Sequence, residues 1–501
     1  MVPSQRDIIR QRLARERGTL FRDAPDRVAL LYPSPYSVGM SSLGFQLMYR
    51  ALNERPEMVA ERAFLPDDVA GALQSREPLL TYESQRPVGD CPVIALSVAY
   101  EGELGTMLQA LELAGVPVFR EDREGGRYPF ILCGGPLTFS NPVPLAAYVD
   151  AVIIGEAEDV VHQVFDVLLS THDRAQRERK LAEIDHVWVP GLHGEALPPV
   201  AKARDELLPA YAQIMTPDTE LSDMFLIETE RGCSRGCQYC VMRRSTNGGM
   251  RLAPIEKILS IIPDDAKKVG LVGAAVSDHP KIVELVNTLA DQGRGVGLSS
   301  LRPDRLTDAF VGALKRGGYR TLTTAMDGPS ERLRAMLERH AKVKHLERAA
   351  ALARAHQMQT LKLYLMVGLP GETDEDIDEC VAFVTQLSKV NPIALGIAPF
   401  VSKRKTPLDG LPFAGIEVVE GRLDRLRKGL KGRADVRPTS ARWAWIEWVL
   451  AQGGERAGRA VYDAMRAGGR FADYRKAFEA AGVVPGKRRK LMVVKASEDA
   501  S

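Results

Sequence analysis

The chain has 501 residues, of which 45% are hydrophobic and 26% are charged. This is a globular composition long enough for two or three domains, and it excludes a disordered, collagen-like or coiled-coil chain. The 67 basic and 65 acidic residues leave a formal net charge of +2, so no overall charge draws the protein to nucleic acid or anionic membrane.

The N-terminal segment, residues 1–24, is predicted to be an arm outside the first domain. Its first 17 residues include five arginines and no apolar core segment, which is unlike a signal peptide. No later stretch reaches eighteen uninterrupted apolar residues, so the sequence predicts no membrane span. We therefore expect a cytoplasmic protein.

Residues 25–175 alternate short runs rich in Val, Ile and Leu with helical segments. Runs that are continuously apolar indicate strands buried on both faces, as in a parallel sheet covered by helices. We predict a doubly wound α/β domain, whose ligands would bind beyond the carboxyl ends of the strands. The predicted strands are Val28 to Tyr32, Val93 to Val98, Phe130 to Cys133 and Val149 to Ile154.

Residues 176–222 contain several prolines in irregular chain and are predicted to link two domains. From 223 to 412 six further strands alternate with helices, which predicts a partial (β/α)6 barrel. Residues 413–501 are predicted to form a helical C-terminal cap. The six barrel strands are Phe225 to Glu228, Lys268 to Val272, Gly297 to Ser300, Arg320 to Ala325, Leu361 to Val367 and Ile393 to Pro399.

Three of the six cysteines, Cys233, Cys237 and Cys240, lie within eight residues. A chain this long and hydrophobic does not need disulfides, so the clustering indicates a reducing compartment and a metal site. The triplet follows the first barrel strand, at the end of the barrel where active sites are built. Zinc is one alternative, but a structural zinc site needs four ligands and no fourth Cys or His lies nearby in sequence. A 4Fe-4S cluster normally takes four thiolates, so three would leave one iron open.

The cysteine loop resembles the radical SAM signature C-x3-C-x-aromatic-C, with Tyr239 at the aromatic position. The resemblance implies that the three cysteines hold a 4Fe-4S cluster whose open iron is chelated by S-adenosylmethionine (SAM). In that family, one electron from the cluster cleaves SAM to give a 5'-deoxyadenosyl radical. It also implies a one-electron donor such as flavodoxin or ferredoxin.

Other segments of the barrel are similar to the SAM-binding positions of that family. After the fourth strand, Asp327 is implied as a ribose ligand and Arg332 or Arg334 as a partner of the SAM carboxylate, although a turn and helix cap explains the same residues. After the third strand, Ser300 and Arg302 are implied as SAM contacts. The second strand departs from the family, because its usual Gly-Gly-Glu is replaced by Gly273-Ala-Ala, which removes the glutamate side chain.

The N-terminal domain resembles the cobalamin-binding module that precedes many radical SAM barrels. The resemblance is carried by Ser97 at a strand end, by Gly134 and Gly135, and by the Gly-Glu-Ala-Glu segment at residues 155–158. It implies that Ser97 and the two glycines contact cobalamin. The Asp-x-His-x-x-Gly motif that supplies a cobalt ligand is absent, and no histidine precedes His162. Either cobalamin binds without a histidine ligand, or the fold persists without cobalamin.

Three functions remain open from the sequence. The first is a radical SAM enzyme that abstracts hydrogen from its substrate, with cobalamin-dependent methyl transfer as one version. The second is an RNA-modifying enzyme of the methylthiotransferase type without cobalamin, which would normally bring a second cluster to the N-terminal domain, where only Cys91 and Cys133 lie. The third is a non-catalytic protein that binds an iron–sulfur cluster and SAM. The substrate could be a small molecule, a lipid or an RNA.

Overall fold

The structure is a computed structural model that describes residues 4–125, 127–242, 249–299 and 301–484. Ser300, one of the candidate SAM contacts, lies outside the described residues.

The N-terminal domain is a six-stranded sheet in the order β2-β1-β3-β4-β5-β6, with the last strand antiparallel and the others parallel. Alternate residues of a strand enter different cores: Ala29 and Leu31 pack on one side of the sheet, and Val28 and Leu30 on the other. The predicted doubly wound sheet, buried on both faces, is thereby confirmed. The strands are β1 (Asp26–Pro35), β2 (Met58–Leu65), β3 (Val93–Ser97), β4 (Phe130–Gly134), β5 (Ala151–Ile153) and β6 (Val187–Trp188).

Helices cover both faces of this sheet. They supply the crossovers that parallel strands require. Within this part of the chain they are α1 (Gln5–Leu13), α2 (Tyr36–Gly39), α3 (Leu43–Asn53), α4 (Val69–Ser75), α5 (Glu103–Leu113), α6 (Val160–Ser170), α7 (Arg174–Ala182) and α8 (Pro190–His193).

The central region is the predicted partial barrel of parallel strands. Its first sheet has the order β11-β10-β7 and its second the order β12-β13-β14-β15. An isolated bridge between Leu301, which follows β11, and Thr324 of the second sheet connects them. An antiparallel hairpin, β8 with β9, follows the first barrel strand. The strands are β7 (Met224–Glu228), β8 (Glu230–Cys233), β9 (Gly249–Leu252), β10 (Lys268–Val272), β11 (Gly295–Leu298), β12 (Thr321–Asp327), β13 (Thr360–Val367), β14 (Ile393–Pro399) and β15 (Ala434–Pro438).

Helices of the barrel lie between these strands and pack into one continuous core with them. The last strand, β15, extends the barrel sheet and was not predicted from the sequence. The helices are α9 (Ile255–Ile261), α10 (Ile282–Asp291), α11 (Asp308–Arg316), α12 (Glu331–Met336), α13 (Val343–Ala355), α14 (Asp374–Leu387) and α15 (Ile416–Gly429).

Three C-terminal helices, α16 (Ala441–Gln452), α17 (Glu455–Ala467) and α18 (Phe471–Ala480), share a core with the N-terminal domain. The Asn141 side-chain amide donates to the carbonyls of Leu450, Ala451 and Gly453 at 2.8–3.1 Å. The cap therefore holds to the N-terminal domain through buried polar contacts as well as apolar packing. Among the described residues, no helix has the length and apolarity needed to cross a membrane.

Candidate functional site

The cysteine loop begins inside the β8–β9 hairpin, directly beyond the carboxyl end of β7. Cys233 ends β8, and Gly232 before it adopts φ 82°, a conformation that glycine reaches without strain. Cys237 and Cys240 follow in a turn closed by a hydrogen bond from the Cys240 amide to the Cys237 carbonyl, 3.2 Å. All three thiols are partly exposed. The loop therefore presents them together at the open end of the barrel.

Burial raises the pKa of Cys233 and of Cys240, and the neighbouring thiols of the loop add to the effect. Within the described part of the chain, no three His, Cys, Asp or Glu side chains are placed to hold a single metal ion. A 4Fe-4S cluster does not require such convergence, because each thiolate binds a different iron. The donor set of three thiols on one loop therefore fits a cluster of this kind.

Tyr239 of this loop lies against the apolar cluster of Leu333, Leu337, Leu369 and Phe400. Its hydroxyl hydrogen-bonds the Asp327 carboxylate, and burial raises the pKa of the tyrosine.

Arg339 forms an ion pair with Asp327 and hydrogen-bonds the Cys237 side chain. It thereby links the end of the fourth barrel strand to the cysteine loop. No sequence motif singled out Arg339, because it lies twelve residues beyond Asp327.

Arg302 is 4% exposed and lies beyond the third barrel strand. Its guanidinium binds Asp304 at 2.7 and 3.1 Å and Asp278 at 3.3 Å, yet the buried Nη1 atom has no hydrogen-bond partner among the described residues. Asp278 also pairs with Arg235 of the cysteine loop at 3.1 Å and with Arg305 at 3.2 Å. Arg302 could be predicted from the sequence, but this cluster of ion pairs around Asp278 could not.

The two other arginine candidates, Arg332 and Arg334, form hydrogen bonds that stabilise the surrounding backbone and the start of α14. The Arg332 side chain is 57% exposed, and it donates to Asp376 at 2.5 Å and to the Gly371 carbonyl at 3.0 Å. Asp376 is also the residue that accepts the Thr373 amide in the capping box of α14. Arg334 is buried and donates to the carbonyls of Ala341 and Gly328 at 2.8 and 3.3 Å.

A cavity of about 560 Å³ lies between the N-terminal domain and the barrel. Ser97, Gly134 and Gly135 line it at the carboxyl edge of the sheet, so the structure brings these three predicted residues together. Gly135 has φ 103°, and an added Cβ would lie 2.7 Å from the Val98 carbonyl oxygen, whereas a Cβ at Gly134 meets no atom within 4 Å. The space in front of Gly134 is therefore free for a ligand.

The walls of this cavity are mainly apolar and come from α3, α6 and the strands between them, including Leu47, Leu52, Val161 and Phe165. Ligand cavities of this size and lining hold drug-sized groups. Cobalamin is larger than the cavity, so it would fill it with only part of its structure. No histidine is among the described residues that line the cavity, so none of them would supply a histidine ligand to cobalt.

Two arginines of the β8–β9 hairpin join the barrel to the N-terminal domain. Arg251 binds the Glu156 carboxylate at 2.5 and 2.6 Å. Arg231 forms ion pairs with Glu158, with Glu156 at 3.4 Å, and with Glu228 at 2.7 and 2.8 Å. The Gly-Glu-Ala-Glu segment of the N-terminal domain thus binds the hairpin that carries Cys233.

Glu230 is the exception to this pairing. It is 1% exposed, lines the cavity, and accepts the Ala275 amide at 2.6 Å through Oε1, while its Oε2 atom has no partner among the described residues. Burial raises its pKa to about 8, and the carboxylates of Glu228 and Asp278 add to the increase. No sequence motif indicated a functional role for Glu230.

Two families match this chain in sequence. Residues 44–190 match radical SAM proteins, N-terminal, and residues 227–384 match the radical SAM superfamily. An uncharacterized protein of Methanocaldococcus jannaschii is 26% identical over 390 residues, which cover 76% of this chain and 79% of that protein.

Two methylthiolating enzymes are also similar to this chain. The ribosomal protein uS12 methylthiotransferase RimO of Geobacter sulfurreducens is 26% identical, with 42% of this chain and 49% of that protein covered. The tRNA-2-methylthio-N(6)-dimethylallyladenosine synthase of Oceanobacillus iheyensis is 23% identical, with 64% and 65% covered. The chain spans less than two thirds of the length of either enzyme.

The fold is similar to that of the cobalamin-dependent S-adenosylmethionine radical enzyme OxsB. The structure of OxsB with aqua-cobalamin and S-adenosylmethionine bound matches at a TM-score of 0.52 and 13% identity, covering 90% of this chain and 72% of that one. Its structure with aqua-cobalamin alone matches at 0.52 and 15% identity, covering 74% and 53%. The N-terminal and core matches show that the chain belongs to the radical SAM superfamily, and its fold is similar to that of this cobalamin-dependent enzyme.

Proposed function

We propose that this protein holds a 4Fe-4S cluster on Cys233, Cys237 and Cys240 and cleaves SAM to act on a second substrate. When bound, the cluster supplies one electron to the SAM sulfonium, which yields methionine and a 5'-deoxyadenosyl radical able to take a hydrogen atom from a substrate carbon. The observation that carries the proposal is the presentation of three partly exposed thiols on one loop at the open end of the barrel. A flavodoxin or ferredoxin would serve as electron donor, in a reducing compartment such as the cytoplasm that keeps these thiols free.

The residues of the barrel rim would bind SAM. The unpartnered, buried Nη1 atom of Arg302 is a donor suited to the SAM carboxylate. Asp327 would accept a ribose hydroxyl, with its carboxylate held in place by Arg339 and Tyr239. Arg332 is the weaker candidate, because Asp376 already binds its guanidinium. Ser300 completes the proposed set.

We further propose that part of a cobalamin molecule occupies the cavity between the domains. Ser97, Gly134 and Gly135 would contact it, and the apolar walls would exclude water from it. When bound, cobalamin would supply a methyl group for transfer to the substrate.

The test is the product formed by the anaerobically reconstituted protein with SAM and a strong reductant. We expect 5'-deoxyadenosine, or S-adenosylhomocysteine if methyl transfer occurs. Cys237→Ala should abolish the product. Cys380→Ala is the matched control, because Cys380 is a buried thiol outside the loop and should leave the product unchanged. Product formation by Cys237→Ala at the rate of Cys380→Ala would overturn the proposal.

The same preparation separates the alternatives. About four irons and four sulfides per chain agree with one cluster, and about eight would favour a methylthiotransferase with two. The sequence favours one, since Cys91 and Cys133 are the only thiols of the N-terminal domain and both are buried. Cobalamin absorbance after growth with cobalamin tests the methyl-transfer version. SAM binding without any cleavage would indicate a non-catalytic binding protein.

A further inference from the structure

Most carboxylates near the cysteine loop form ion pairs with arginines, but Glu230 does not. Glu228 and Glu158 share Arg231, and Glu156 binds Arg251. Asp278 binds Arg235, Arg302 and Arg305 at 3.1–3.3 Å. Glu230, whose charge interacts with those of Glu228 and Asp278, has no ion pair among the described residues.

The local backbone is arranged to hold this carboxylate in place. The Ala275 amide donates to Oε1 at 2.6 Å, and a Cβ at Gly273 would collide with the same carboxylate. Gly273 therefore leaves the room that Glu230 occupies. The remaining oxygen, Oε2, is buried without a partner, on a residue that lines the cavity between the domains. A buried, unpaired carboxylate is costly unless a ligand satisfies it.

The surroundings favour a cation as that ligand. The carboxylates of Glu228 and Asp278 interact with the charge of Glu230, and each of them is itself paired with arginine. Among the described residues, no cation is paired with Glu230 itself. A neutral donor would fill the empty hydrogen bond without stabilising the ionised carboxylate. An ammonium group would fill the same bond and also stabilise the ionised form of Glu230. The rest of the cavity is mainly apolar and suits a carbon chain or ring attached to such a group.

We propose that Glu230 binds a primary ammonium group of a ligand that enters this cavity. This inference rests on the proposed function, which offers two sources of the ammonium: the amino group of the SAM methionine moiety, or an amine on the second substrate. Glu230 would then supply a carboxylate from the β8–β9 hairpin. This carboxylate lies beside Gly273 and Ala275, which follow the second barrel strand and carry no carboxylate themselves. Glu230 is in this role a specificity-determining residue.

The test compares equilibrium binding to cluster-reconstituted protein for the natural chain, Glu230→Gln and Glu158→Gln. Gln at position 230 keeps the shape and the bond from Ala275. Glu158→Gln is the matched control, because Glu158 also lines the cavity but is paired with Arg231. Iron content and melting temperature establish that all three proteins are folded and loaded.

One arm uses SAM and an analogue in which hydrogen replaces the amino group. If SAM supplies the ammonium, Glu230→Gln should weaken the binding of SAM by about 30-fold or more and leave the affinity for the analogue unchanged. The other arm uses hexylammonium and hexanol on SAM-free protein. If the second substrate supplies the ammonium, hexylammonium should bind the natural chain and not Glu230→Gln. Hexanol should bind both proteins with the same affinity.

Either pattern supports the proposal and identifies the source. The proposal is overturned if Glu230→Gln behaves like Glu158→Gln with all four ligands. Formation of 5'-deoxyadenosine by the natural chain is measured separately. If Glu230 proves to bind no ammonium group, this measurement still tests the proposed function independently.

Discussion

The clearest quantitative prediction concerns Glu156, which binds the barrel hairpin from the N-terminal domain. Its carboxylate accepts two bonds from Arg251 at 2.5 and 2.6 Å, one from Arg231 at 3.4 Å, and the Ala203 amide at 2.8 Å. Glu156→Gln keeps the side-chain shape and can still accept the Ala203 amide. It removes the charge and turns an amide donor toward the arginines.

The cost follows from the bonds that are lost. A hydrogen bond to a charged group contributes about 1.5–3 kcal/mol, and Arg251 retains its bonds to the Ala203 carbonyl and Asp205. We therefore expect a loss of about 3 kcal/mol for the two short bonds together, which is about a 150-fold increase in the opening equilibrium of the hairpin.

Amide hydrogen exchange of β9, residues Gly249–Leu252, measures this opening directly in the cluster-free protein. The matched control is Asp205→Asn, which removes the other carboxylate bound to Arg251. The Asp205 side chain is 65% exposed, and surface pairs contribute only about 0–1 kcal/mol, so exchange should rise by less than about fivefold. Equal protection in Glu156→Gln and Asp205→Asn would refute the argument that the buried pair joins the two domains.

Two further predictions concern a backbone position and a pH dependence. Gly135→Ala should lower the melting temperature by several degrees because of its φ of 103° and the nearby Val98 carbonyl, while Gly134→Ala should not; equal melting temperatures would contradict this. Burial raises the pKa of Glu230 to about 8, so the folded cluster-free chain keeps a proton that the unfolded chain releases near the ordinary pKa. The stabilisation is present below that ordinary pKa and is lost as the pH rises toward 8. Between pH 6 and 8, the free energy of unfolding measured by denaturation should fall by about 2 kcal/mol more for the natural chain than for Glu230→Gln. Equal falls in the two proteins would contradict this prediction.

The predicted strands were found because most of them are continuous apolar runs. Strand β2 was missed because Glu61 and Arg62 interrupt its pattern, although both are buried. Arg62 is neutralised by Glu16 at 2.8 Å and by Glu83 at 2.6 Å, residues distant in sequence. A local pattern cannot show that a buried charge has a partner elsewhere in the chain.

Strand β15 was missed for a different reason. Its sequence, Ala-Asp-Val-Arg-Pro, is polar and only partly buried, because it lies at the edge of the barrel sheet with one neighbour, β14. Edge strands need no continuous apolar run, and proline is tolerated in them. The pattern that identifies central strands therefore fails at the border of the same sheet.

The residues of the site likewise differ in whether their contacts are close in sequence or distant in sequence. The cysteines could be predicted because one loop carries all three, so their spacing is visible in the sequence. The groups that position the loop come from elsewhere: Arg339 from beyond α12, Asp278 from beyond β10, and Glu156 and Glu158 from the other domain. Resemblance alone marked the Gly-Glu-Ala-Glu segment as part of a cofactor domain, but here its two carboxylates bind the arginines of the hairpin that bears Cys233. The N-terminal domain therefore contacts the hairpin of the cysteine loop through these ion pairs whether or not it also holds a cofactor, because the pairs are formed by side chains of the protein alone.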